Sequence, residues 1–120
     1  MRRPLIGAAC LLTGCASMAP AERASELSYQ SLHLIDTLQT LDIRRHPWGM
    51  ETNRVLGRQP SDGAIIAYMA GEAVLHLIVS DQLARHDAPA WMRAAWHVTS
   101  VSMAGNTVRN NAQLGLTVRF

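Results

Sequence analysis

Lysine is absent from the chain, and its only two cysteines are Cys10 and Cys15. All 11 basic residues are therefore arginines, and the single phenylalanine is Phe120. Charged residues make up only 17% of the sequence against 48% hydrophobic, a balance too apolar for a disordered tail. The formal net charge of +2 comes from Arg2 and Arg3, since arginines and acids balance from residue 15 onward. A body with no net charge has no electrostatic reason to seek phosphate, so nucleic acid is not an expected partner. At 120 residues the chain is one small domain at most.

The first residues, MRRPLIGAACLLTGC, place two arginines before the apolar run Leu5 to Leu12 and the small residues Thr13 and Gly14. This is the three-part layout of an export signal, and the run is too short for a crossing helix of about 20 residues. Leu12-Thr13-Gly14-Cys15 resembles the bacterial lipobox, in which the cysteine sulfur takes diacylglycerol and the chain is cut before it. The resemblance implies a signal peptide over 1–14, a lipidated Cys15 carrying diacylglycerol and an acyl chain, and a tether through 25. With Ala16 and Ser17 behind the cysteine and no Asp, it implies the periplasmic face of the outer membrane. Cys10 lies in the removed segment, so no internal disulfide is expected.

From 26 to 43 the apolar residues Leu27, Leu34, Leu38 and Leu41 recur near i, i+3, i+4, i+7, which predicts an amphipathic helix. Pro47, Gly49, Gly57 and Pro60 exclude a helix through 44–61. Ser61 is a predicted N-cap for an apolar helix over 64–84, and Pro89 opens another that reaches about Arg109. The domain, 26–120, is thus read as all-α, a small three-helix bundle.

The windows 64–84 and 90–108 are long enough to cross a bilayer, but Glu72 and His76 interrupt the first and Arg93 and His97 the second. Two arrangements follow. In a soluble or peripheral bundle the apolar faces form the core and these four residues look out to water. In a membrane-embedded antiparallel hairpin the polar stripes face inward, and the protein belongs in the inner membrane as an integral protein. A charge at mid-bilayer costs about 2.5 to 3.5 kcal/mol on insertion scales, so neither window is a clean span, and the soluble or peripheral bundle is preferred because outer-membrane lipoproteins seldom carry spanning helices. Trp48, Trp91 and Trp96 suit either interfacial anchoring or ordinary packing.

No G-x-S-x-G elbow, G-x-G-x-x-G loop or Walker loop occurs, so neither nucleophilic nor nucleotide chemistry is predicted. Glu72 and His76, four apart, share a helix face, and His97 with Glu51 would complete a metal-ligand set. No H-E-x-x-H motif supports this, and no metal is expected.

The loop METNRVLGRQPS, residues 50–61, carries Glu51, Asn53, Val55, Leu56, Gly57, Pro60 and Ser61. It resembles a family of small Gram-negative proteins, with no activity attached, whose pattern is E-x-N-P, two apolar residues, Gly, two variable residues, then Pro-Ser before an apolar helix. Arg54 stands where that pattern has Pro. Asp36, Gln39 and Thr40 match its upstream D-x-x-Q-T element, and Asn106 or Asn110 with Gly115 its N-x-x-x-G tail.

On this loop, the expectation is that Glu51 and Asn53 cap or staple it onto the helix bundle through backbone hydrogen bonds, with a positive φ at Gly57 and a helix start at Pro60-Ser61. The functional counterpart is a polar site lined by Asp36, Glu51, Asn53 and His76. The sequence as a whole reads as an envelope lipoprotein with a structural or interaction role. The membrane, reached through its lipid, and an envelope protein are its partners. Its alternatives are a small integral membrane protein whose polar stripes line a site or bind a partner helix, and a metal-binding module or metalloenzyme.

Overall fold

The computed structural model describes residues 17–49 and 53–118; Cys15, the signal segment and Glu51 lie outside them. Helix α1 spans Pro20–Asp42, α2 Asp62–Arg85 and α3 Ala90–Gln113, and no strand occurs among the described residues. The chain is all-α, a three-helix bundle.

Each helix begins where local chemistry satisfies its free N–H groups. Pro20 supplies the preset φ of a first turn, and Glu22 Oε2 accepts from the Ala19 N–H at 2.8 Å. Ser61 Oγ accepts from the Ala64 N–H at 3.1 Å, as the sequence predicts. Pro89 caps α3, which ends where Gly115 turns to a φ of 85°.

The first helix starts six residues before the predicted position. Residues 17–25 are not a free tether: Ser17 Oγ donates to Asp81 at 2.5 Å, Met18 is buried, and the helix is under way from Pro20.

A 3-10 turn, Ile43–Arg45, leads into the irregular connection. Asn53 Oδ1 accepts from the Val55 N–H at 2.9 Å and its carbonyl from the Gly57 N–H at 3.1 Å. Gly57 has the expected positive φ, 78°, and these Asn53 bonds close the loop on itself rather than onto the helices. Gly49 is required for a different reason: a Cβ there would stand 2.7 Å from the Ile43 carbonyl oxygen.

Helix α1 is the central element, packing against α3 most extensively and against α2 next, while α2 and α3 touch least. The two apolar helices are antiparallel neighbours in sequence, yet their polar stripes meet α1 rather than each other.

The packing is inverted relative to the preferred reading. Among the described residues the buried polar set (Glu26, His33, Gln39, Thr40, Asp42, His76, Ser80, Asp81 and His97) outnumbers the buried apolar one. Leu27 and Leu34, predicted to be the buried stripe of α1, are 70% and 59% exposed. Val74, Leu75 and Ile78 of α2 and Trp91, Val98 and Met103 of α3 also point outward. The physical reason is partner matching: the polar residues of the three helices can satisfy one another only if their stripes converge, and that turns the leucine and valine faces out.

Outward hydroxyls follow the same logic. Ser25, Ser28 and Ser31 donate to the carbonyls of Ala21, Ala24 and Leu27 at 2.8 to 3.0 Å. Ser100 and Thr107 do the same on α3. A hydroxyl bonded to its own helix asks nothing of its surroundings.

Candidate functional site

Two polar constellations lie along the bundle axis. The first centres on Glu26, a 2% exposed carboxylate in the second turn of α1. It accepts from Ser80 Oγ at 2.7 Å, from Gln30 Nε2 at 2.8 Å and from His76 Nδ1 at about 3.0 Å. Ser80 in turn accepts from the Trp96 Nε1–H of α3 at 2.8 Å, so all three helices join one network.

His76 lies between two rings, with Tyr29 stacked at 3.5 Å on one side and Trp96 at 4.7 Å on the other. Donation from Nδ1 to a carboxylate fixes that nitrogen as the protonated one. The opposite nitrogen, Nε2, is buried with no hydrogen-bond partner among the described residues. Tyr29 stacks on through to His33, whose Nε2 donates to the Met69 carbonyl at 2.8 Å.

The second constellation is a cavity of about 240 Å³ near the other end, between the C-terminal parts of α1 and α3 and the N-terminal half of α2. Asp36, Asn53 and Glu72 line it, with Trp48, Tyr68 and Asn111 around them. Asn111 Nδ2 donates to Asp36 Oδ1 at 2.7 Å, tying α3 to α1 across the cavity floor. Asp42, just beyond, holds the C-terminal segment by accepting from the Thr117 N–H at 3.0 Å and Oγ1 at 3.2 Å, and also accepts from His46 Nε2 at 3.1 Å.

Of the residues singled out in the sequence, Asp36, Asn53 and Glu72 are therefore brought together. His76 is not part of that cavity; one turn along α2 it faces Glu26 rather than Glu72. His97 is buried in a cleft beside Ser25, Ser28 and Val101. Glu51 and Cys15 lie outside the described residues. The metal set of Glu72, His76 and His97 does not form, and no group of three ligating side chains occurs among the described residues. Arg93, placed on the polar line of α3, pairs with Glu22 at 3.1 Å.

Sequence reasoning missed Glu26 and Gln30, and read Trp96 only as an anchor or packing residue. A signal was present: Glu26, Gln30, His33, Thr37 and Thr40 recur at helical spacing and form a polar stripe on α1. Weighing only the leucines of that helix hid it.

No family model matches the chain, and no match was found among curated proteins or solved structures.

Proposed function

We propose that this chain is a small integral membrane protein whose three helices enclose a polar site within the bilayer. The observation that carries this reading is the inversion of the bundle, with ionisable and hydroxyl side chains inside and large aliphatic ones outside. In water such a fold leaves Leu75, Val98 and their neighbours exposed with no return, whereas a bilayer is the solvent that favours them. Intramembrane ionisable residues that face the bundle interior mark sites rather than scaffolding.

Three further features support it. Among the described helices α2 alone is long and apolar enough to cross a membrane, with 24 residues, about 36 Å at 1.5 Å per residue, and only 22% of its apolar window buried; α1 and α3 would be held beside it by their polar contacts. The core helix of a soluble protein would be mostly buried instead. Exposed serines and threonines close on their own helices, as spanning segments require. Trp48 and Trp91, 53% and 70% exposed, stand at opposite ends of the bundle, where a pair of indole belts would sit.

The site offers acceptors: Asp36, Glu72 and Asn53 around one cavity and the Glu26–His76 pair beyond it. That set suits a proton or a small hydrogen-bond donor. On this reading the protein stays in the inner membrane, against the outer-membrane sorting that Ala16 and Ser17 imply, and an acylated Cys15 before α1 would only supplement the helices. The rival is the outer-membrane lipoprotein with a peripheral bundle acting on an envelope partner.

Carbonate extraction of wild type and Cys15→Ala separates the two. Both proteins staying in the membrane pellet is the expected result. Release of the Cys15→Ala variant would overturn the integral reading and leave the lipid as the only anchor.

A further inference from the structure

The two ends of the bundle differ in charge. One end gathers the C-termini of α1 and α3, the N-terminus of α2 and the long loop. Its described arginines are Arg44, Arg45, Arg54, Arg58 and Arg109, all exposed; its described rim acids are Asp42 and Asp62, with Asp36 and Glu72 on the cavity just inside and Glu51 outside the described residues. Arg44 pairs with Asp62 at 3.1 Å and Arg45 lies 3.8 Å from Asp42. Arg54, Arg58 and Arg109 make no ion pair among the described residues. At the opposite end Arg85 pairs with Asp81 at 2.6 Å and Arg93 with Glu22 at 3.1 Å, Arg23 donates to the Met18 carbonyl, and Glu26 and Asp87 add two further acids. Exposed arginines thus outnumber the described rim acids at the first end, five to two, and do not at the second.

We propose that the arginine-rich end sits in the head-group layer of the cytoplasmic leaflet, with Arg54, Arg58 and Arg109 bonded to the phosphates of anionic phospholipids. The inference rests on the membrane reading above and adds its orientation and its lipid partner. Basic residues in short loops near span ends hold their end on the cytoplasmic side, and acids contribute little to that choice. A guanidinium presents a planar fork that matches a phosphate, and the cytoplasmic leaflet is rich in anionic lipid. Helix α1 then runs inward, α2 outward and α3 inward, leaving the 86–89 turn outside. An independent feature agrees. Ser17 is docked on Asp81 at the second end, two positions after Cys15. The lipobox resemblance likewise puts an acylated Cys15 on the periplasmic side.

Reporter fusions to the full chain test the orientation. Green fluorescent protein after Phe120 and alkaline phosphatase inserted between His86 and Pro89 are each expected to be active, and the exchanged pair inactive. Activity of the exchanged pair instead would overturn the orientation while leaving the membrane reading intact. Both sites reporting the same compartment would overturn the two together. Lipid carried through detergent purification tests the partner. Phosphatidylglycerol enrichment is expected for wild type and its loss for the Arg54→Gln/Arg58→Gln/Arg109→Gln variant, whose exposed side chains leave the fold unaffected. Equal enrichment in both would overturn the role of these arginines. Enrichment abolished by added inorganic phosphate would assign the rim to free phosphate rather than to lipid.

Discussion

Glu26 of α1 and His76 of α2 meet at 3.0 Å with side chains 3% and 6% exposed, and the bond is shared with Ser80 and Gln30. A carboxylate this enclosed stays in place only because several donors converge on it. Removing it strands His76 and Ser80, while Gln30 keeps the Ala73 carbonyl at 3.0 Å.

Glu26→Ala is accordingly expected to cost about 3 to 5 kcal/mol, because His76, Ser80 and Gln30 lose their common acceptor. Glu26→Gln keeps one acceptor oxygen and is expected to cost clearly less. Thermal unfolding in detergent followed by circular dichroism gives both values, and equal losses would show that the carboxylate has no special part in the network.

Ser80 links the network to α3 through the Trp96 indole. Ser80→Ala is expected to cost about 1 to 3 kcal/mol, the penalty of buried groups left unsatisfied. It should also move the fluorescence of Trp96, read in a Trp48→Phe/Trp91→Phe background. An unmoved emission band would mean that the indole N–H is not held by this hydroxyl.

The outward face gives the sharpest test of the environment. Leu75 is 61% exposed and makes few contacts to lose, so Leu75→Glu in water should fall within about 0.5 kcal/mol of wild type. In a bilayer the same carboxylate costs about 2.5 to 3.5 kcal/mol. Loss of membrane insertion is the expected outcome, scored as the fraction resistant to carbonate.

Two glycines should respond in opposite directions. Gly49→Ala drives a Cβ to 2.7 Å from the Ile43 carbonyl and should cost about 1 to 3 kcal/mol. Gly71→Ala meets nothing within 4 Å on an α2 helix face and should be neutral or stabilising by up to about 1 kcal/mol. Melting temperatures of the two variants, measured side by side, decide the matter.

The helices themselves were legible in the sequence because their signals are local. Ser61 and Pro89 marked starts, the Pro and Gly density over 44–61 marked a loop, and Gly57 announced its positive φ. Such features depend on neighbours within a few residues. Three candidate-site residues, Asp36, Asn53 and Glu72, were legible as well, though nothing local said that they would line one cavity while His76 turned away from it.

Which face each helix buries was not decided locally. The leucine spacing of α1 and its polar stripe are both periodic, so the sequence supports either face as the interior. The tertiary structure chose the polar one, since Glu26, His76, Ser80 and Trp96 are complementary donors and acceptors that come within bonding reach only when three helices meet. Periodicity is a property of one helix, whereas hydrogen-bond complementarity is a property of the assembly, and here it left the apolar surface outside.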